Sequence, residues 1–181
     1  MNFLFYNKKI RCCQDTSPLD KDYTYILWQP AFAKVYPTGS SLFPFVIWWL
    51  FHFLHVFSNK NYAVLLVMHK YKVIHRTLIT PKYFRFPFMG NNDLQLGDIW
   101  TDPIFRGKGI ATSAINYIFS HFSSRDITFW YVVNERNLAS VNLAEKVGFS
   151  FCGKGKRYSR YGISIIGRYM FSNDLDLNKG R

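Results

Sequence analysis

The pattern of apolar and polar positions divides the chain into short segments of different period. Residues 23–29 (YTYILWQ) predict a strand. Residues 42–57 are nearly all apolar and predict a helix. YAVLLVMH (62–69) and VIHRTLI (73–79) are β-rich runs separated by Lys70-Tyr71-Lys72, which predicts a hairpin. Residues 80–92 hold Pro81, Pro87 and Gly90 and are expected to be largely loop. LQLGDIWT (94–101) is expected as a strand that stops at Asp102-Pro103.

From Gly107 the period becomes helical: Ile110, Ala114, Ile115, Ile118, Phe119 and Phe122 share one face. ITFWYVV (127–133) is a continuous apolar run, as in a strand covered on both faces. Asn137 is the expected N-cap of a helix carrying Leu138, Val141, Ala144 and Val147, and Gly148 ends it. Two strands follow, near 149–156 and 163–171. The order β, α, β, β, β, α, β, α, β, β predicts an α/β or α+β sheet with helices packed on it. No element is assigned before Tyr23. No repeat, low-complexity tract or Ser/Gly linker interrupts the chain, so residues 1–181 are expected to form a single domain.

Composition narrows the partner. The chain of 181 residues is 49% hydrophobic and 19% aromatic, which excludes intrinsic disorder. Twenty-three basic against eleven acidic side chains give a net charge of +12, and no Asp or Glu occurs from Tyr23 to Asn92 or from Lys146 to Asn173. Such a balance points to an anionic partner. No nucleic-acid-binding motif is present, so nucleic acid is not expected. Cys12, Cys13 and Cys152 are odd in number and two are adjacent, which fits neither a disulfide framework nor a zinc site. Free thiols in a reducing, cytoplasmic compartment and no bound metal are expected. MNFLFYNKKI lacks a basic region followed by a long apolar one, so a cleaved signal peptide is not expected. Phe43–Phe57 would reach about 22 Å as a helix, short of the ~30 Å hydrocarbon core. It also carries His52 and His55. It reads either as a buried helix or as one lying on an anionic membrane surface, the inner face in a cytoplasmic setting.

The chemistry concentrates in Arg106-Gly107-Lys108-Gly109-Ile110-Ala111, between a strand and an amphipathic helix. A helix start presents free backbone N–H groups and the positive end of the dipole, a cradle for phosphate. The segment is neither GxxxxGK[ST] nor GxGxxG, since position 112 is Thr112. With its surroundings it resembles the GNAT superfamily of acyl-CoA-dependent N-acetyltransferases. Thr101-Asp102-Pro103 followed by Arg106-x-x-Gly109-x-Ala111 is similar to that family's [QR]-x-x-G-x-[GA] loop. Asn137-x-x-Ser140 resembles its second cofactor-side motif, and Glu145-Lys146-Val147-Gly148-Phe149 its E-K-x-G-F. The likeness covers about residues 93–155.

The resemblance implies a mixed, mostly antiparallel central sheet, splayed around the CoA cleft and flanked by about four helices. Acetyl-CoA would lie between strands 94–101 and 127–133. Its pyrophosphate would meet Arg106, Gly107, Lys108, Gly109, Ile110 and Ala111, its pantetheine arm Ile99, Trp100 and Thr101, and its CoA arm Asn137 and Ser140. Many members place a Glu base where this chain has Gln95, which cannot titrate; Asp93 is the first substitute. Asp98 lies on the opposite face unless a bulge turns it. The usual Tyr acid is replaced by Ala144, leaving Asn142 acting through water, or departure of CoA as thiolate. The acceptor, a small-molecule amine such as a nucleotide- or lipid-linked amino sugar, or a peptide N-terminus, would meet Phe84, Arg85 and His75. A homodimer is common in the family. A protein that binds CoA or a membrane without catalysis is the other class the sequence allows.

Overall fold

The computed structural model describes residues 1–10, 22–31, 42–123, 126–160 and 163–172. Its strands are β1 (Asn2–Ile10), β2 (Thr24–Trp28), β3 (Ala63–His69), β4 (Lys72–Pro81), β5 (Leu94–Thr101), β6 (Ile127–Asn134), β7 (Ser150–Arg160) and β8 (Ile163–Phe171). They form one sheet in the order β2-β3-β4-β5-β6-β1-β7-β8. Each neighbouring pair is antiparallel except β5 and β6. The helices are α1 (Leu42–Phe53), α2 (Ile110–His121) and α3 (Leu138–Lys146), with a 3-10 turn at Pro103–Phe105. The expected mixed, mostly antiparallel sheet is present. Three α-helices, rather than about four, occur among the described residues.

Alternating side chains give the sheet two apolar layers. On one face Leu94, Leu96, Phe129 and Tyr131 pack against Ile110, Ala114, Ile115 and Ile118 of α2 and Ala144 of α3. On the other, Val64, Leu66 and Leu78 pack with Phe57, Tyr62, Tyr83, Phe86 and Met89, and Trp48 and Phe51 of α1 lie against them.

Strand β1 is the element that the apolar pattern does not announce. Phe5 and Tyr6 are adjacent and both buried, because they point to opposite faces of a sheet that is covered on both sides. The strand lies between β6 and β7 and pairs antiparallel with both. Phe5 meets Phe88 and Phe171 at 5.0 and 4.4 Å on one face. Tyr6 and Ile10 join the α2–α3 layer on the other. Lys8 Nζ donates to the Val147 carbonyl at 2.7 Å, at the C-terminal end of α3, where the helix dipole favours a cation. It also lies 4.7 Å from the centroid of the Phe119 ring.

Helix α1 stops at Phe53, four residues before the apolar run ends. His55 takes φ of 56°, and the chain turns back. Phe57 thereby stacks on Trp48 at 6.2 Å and on Tyr62 at 5.5 Å. No helix among the described residues is long and apolar enough to cross a membrane. Cys12 and Cys13 lie outside the described residues, and Cys152 is a free, exposed thiol.

His75, expected to meet an acceptor, is buried between β4 and β5. Its two ring nitrogens lie 2.8 Å from the hydroxyls of Thr101 and Thr77. The ring therefore ties strands together, and it is not open to an acceptor. Burial, with the neighbouring Arg76 charge, pushes its pKa down to about 4.

Two predictions follow from these contacts. Phe5→Ala is expected to cost about 3–5 kcal/mol, read as a lower urea midpoint at unchanged slope. A loss below about 1 kcal/mol would show that β1 does not belong to the core. For His75, the unfolded chain takes up a proton near pH 6.5 and the folded chain only near pH 4, so its contribution is complete above pH 6.5 and falls away towards pH 4. The difference is on the order of 3 kcal/mol. His75→Gln is expected to flatten the fall in urea midpoint between pH 7 and 4.5; an equally steep fall in the variant would exclude His75 as its source.

Candidate functional site

The site begins where two parallel strands part. β5 and β6 pair only at Leu94–Phe129, Gln95–Trp130 and Leu96–Tyr131. Beyond Leu96, β5 remains paired with β4, but its register shifts between the Arg76–Trp100 and Leu78–Gly97 pairs. Asp98 sits in this bulge with φ of 44°. A bulge bends its strand and re-aims side chains. β5 thus leaves β6, and the backbone edge from Gly97 to Thr101 is left without a partner strand on that side.

The mouth of the fork is closed by the turn into α2. Asp102 Oδ1 accepts the Ile104 N–H at 3.0 Å, and Oδ2 meets Lys72 Nζ at 2.7 Å. The Lys72 ammonium, helped by the Ile104 N–H, holds the Asp102 carboxyl below the usual range. Gly107 and Gly109 take φ of 76° and 78°, the left-handed region that a Cβ disfavours. A Cβ at either position would enter open space, and both glycines line the cleft. The first bond of α2 within the helix runs from the Ser113 N–H to the Gly109 carbonyl at 3.0 Å. The N–H groups of Ile110, Ala111 and Thr112 precede it and have no acceptor within the helix. Arg106 Nε donates to the Thr101 carbonyl at 3.1 Å, and Lys108 Nζ lies 5.0 Å from the centroid of the Phe105 ring.

Helix α3 forms the facing wall. The Asn137 side-chain oxygen caps it, accepting the Ser140 N–H at 3.2 Å. At its other end Gly148 N–H reaches the Glu145 carbonyl and Phe149 N–H the Ala144 carbonyl, each at 3.0 Å, which is the double bond of a Schellman motif. The resulting cleft has a volume of about 590 Å³. It brings together Ile99, Trp100, Thr101, Arg106, Gly107, Gly109, Ile110, Ala111, Asn137 and Ser140. These are the expected cofactor residues with the exception of Lys108, which is beside them in sequence. Among the described residues, none that lines the cleft is acidic. Phe105, Leu143 and Lys146 line it too, without having been singled out for this role. Ser140, Leu143 and Lys146 are spaced by three, so the period of α3 held a signal for the last two.

The candidate bases occupy different places along the fork. Asp93 precedes the first parallel pair, at the closed end. Its Oδ2 accepts the Gly90 N–H at 2.7 Å and the Trp130 indole N–H at 2.8 Å. Gln95 is buried, and its side chain bonds Thr80 and the Leu96 carbonyl. Asp98 follows the last pair, at the open end, half-exposed and 2.8 Å from Arg76. Ala144 is fully buried in the core and offers no proton. Tyr131, in the last parallel pair, hydrogen-bonds with Ser140 of the cleft wall, and burial pushes its hydroxyl pKa up. The aromatic loop of Phe84 and Arg85 is anchored: the Tyr169 N–H donates to the Arg85 carbonyl at 2.9 Å, and Phe86 stacks on Tyr169 at 5.4 Å. Phe84 packs against Phe51 and Tyr83, and the Arg85 guanidinium lies 6.0 Å from the Tyr83 centroid.

A family model described as the acetyltransferase (GNAT) family matches residues 22–149. No curated protein matches the chain. Among solved structures, a functionally unknown conserved protein from Staphylococcus epidermidis superimposes with a TM-score of 0.53 at 14% identity, over 84% of this chain and 58% of that one. A GCN5-related N-acetyltransferase from Sphaerobacter thermophilus gives 0.52 at 10% identity, over 84% and 49%. An acetyltransferase from the GNAT family of Colwellia psychrerythraea gives 0.50 at 15%, over 83% and 53%. At these identities the likeness is one of fold. The chain spans about half to three fifths of the length of these structures.

Proposed function

The chain belongs to the GNAT acetyltransferase family, and we propose that it moves an acetyl group from acetyl-CoA to a primary amine. The observation that carries this reading is the fork between β5 and β6 with the Arg106–Ala111 loop at its mouth. The donor set fits a coenzyme A thioester. The N–H groups of Ile110, Ala111 and Thr112, together with Arg106, Lys108 and Lys146, suit pyrophosphate and 3′-phosphate. The unpartnered backbone edge of β5 suits an arm that carries amides. Ile99, Phe105 and Leu143 suit its methylene groups. Bound there, acetyl-CoA supplies the thioester carbon that the amine attacks.

The chain's own groups divide the proton work. An ammonium must lose a proton before it attacks, and such help is typically worth about 10²–10⁴-fold. Asp98 is the carboxylate on the open side of the fork, and its place in the bulge puts it where β5 leaves β6. Arg76 holds it there. We assign it the role of base, in place of Asp93, whose carboxylate secures Trp130 and the turn at Gly90. Tyr131 stays protonated, because burial disfavours its anion, and it returns a proton towards the departing sulfur through Ser140.

The acceptor side carries guanidinium groups over aromatic rings. Arg85 lies by Tyr83, and Arg157 lies 5.7 Å from the Tyr169 centroid. This pairing favours an acceptor with an anionic group and a flat face, such as a nucleotide-linked amino sugar, over a simple alkylamine.

Calorimetric titration with acetyl-CoA tests the donor assignment. Wild-type protein is expected to bind, and Gly109→Glu to lose binding while thermal unfolding shows that the fold persists. No binding by the wild-type protein would overturn acetyl transfer and leave a non-catalytic binding protein. Asp98→Asn is expected to lower kcat at least about tenfold with acetyl-CoA binding unchanged. Tyr131→Phe is expected to lower kcat by a smaller factor, again without loss of donor affinity. An Asp93→Asn loss of kcat at full stability, with Asp98→Asn unaffected, would return the base to Asp93.

A further inference from the structure

Helix α1 is apolar on both sides. Trp48 and Phe51 face the sheet. On the other side Ile47, Leu50 and Leu54 follow one another at spacings of three and four, so they form one stripe. Their exposures are 44%, 41% and 68%, and Val56, at 36%, continues the stripe into the turn. Scattered exposed apolar side chains are ordinary, but a continuous stripe marks a surface that meets something.

The surroundings of the stripe are cationic. At its end is a second cavity, of about 440 Å³, whose walls include His55, Val56, Lys82, Phe84 and Arg168. Among the described residues, none that lines it is acidic. Lys60 is near enough to His52 for its charge to push that imidazole's pKa down, though burial acts more strongly on it. No Asp or Glu occurs anywhere from Tyr23 to Asn92. His55 and Val56 belong to both features, so the stripe and the cavity form one continuous face.

We propose that this face docks on a membrane surface that bears anionic phospholipid. The stripe enters the boundary between headgroups and acyl chains, and a headgroup phosphate occupies the cavity beside His55, Lys82 and Arg168. Charge complementarity selects this occupant. An apolar ridge bordered by cations matches a layer that is apolar within and anionic at its surface. A nucleic acid would leave the ridge in water. An ordinary protein partner would have to supply an apolar groove with an acidic rim. The helix lies in the interface and does not cross it, because twelve residues span about 18 Å. The inference stands apart from the acetyl-transfer reading and does not rest on it.

The test is co-flotation of the whole protein with vesicles of phosphatidylcholine alone and of phosphatidylcholine mixed with phosphatidylglycerol. Binding to the mixed vesicles, weak binding to the neutral ones and release by salt are expected. A Leu50→Glu/Leu54→Glu variant and a Lys82→Glu/Arg168→Glu variant are each expected to bind mixed vesicles at least about tenfold more weakly. Acetyl-CoA affinity and thermal unfolding serve as controls for an intact fold. Absence of flotation, or flotation retained by both variants, overturns the proposal. Saturable binding of inorganic phosphate without vesicle binding overturns it in favour of a soluble phosphorylated ligand. A concentration-dependent dimer that Leu50→Glu/Leu54→Glu abolishes, without vesicle binding, overturns it in favour of a second copy of the chain.

Discussion

Everything at the candidate site depends on a parallel contact only three residue pairs long. β5 and β6 hold each other at Leu94, Gln95 and Leu96, and then the bulge at Asp98 carries β5 away with β4. Strand backbones that separate must find other partners for their N–H and C=O groups. Here the open edge faces a cleft whose far end carries the unpaired N–H groups at the start of α2. One local irregularity therefore makes the space, exposes a hydrogen-bonding edge along it and aims that edge at an anion cradle. A straight, fully paired β5 would have filled the same position with an ordinary sheet.

The wall opposite the loop owes its position to the beginning of the chain. β1 lies outside the segment matched by the family model, yet it fills the slot between β6 and β7. Lys8, from this strand, donates to the last turn of α3. Gly148 fits the approach closely, since a Cβ there would lie 3.2 Å from Lys8 Nζ. The E-K-V-G-F segment thus ends α3 by its own backbone bonds, while its carbonyls receive a cation from a strand some 140 residues away. Loss of β1 would unsettle α3, and with it Asn137, Ser140 and the cleft.

The two faces of the sheet carry different chemistry. The α2–α3 side has the glycine loop and the cationic cleft. The α1 side has a continuous network of aromatic rings, from Trp48 and Phe57 through Tyr83 and Phe86 to Tyr169. The loop after β4 is part of that network through Tyr83 and Phe86. The fork is the place where a donor on the first side and an amine on the second would meet.

Some of this was legible in the order of residues alone. A helix following the glycine loop, the Asn137 cap and the stop at Gly148 are settled by bonds between residues fewer than six apart, so local spacing is enough to read them. β5 and β6 were legible because an apolar run bounded by turn residues has few alternatives. What the tertiary structure decided are the features whose partners lie far along the chain. β1 has no apolar–polar alternation, because both its faces are covered, one by the α2–α3 layer and the other by Phe88 and Phe171. α1 ends early because Phe57 finds Trp48 and Tyr62. His75 became a buried tie because Thr101, on another strand, reached its ring. The surroundings of Asp93 and Asp98 were set the same way, since an indole N–H from β6 engages one and Arg76 of β4 pairs with the other. Local geometry is written in neighbouring residues. Burial, register and the charge facing a side chain are set by segments that meet only when the sheet closes.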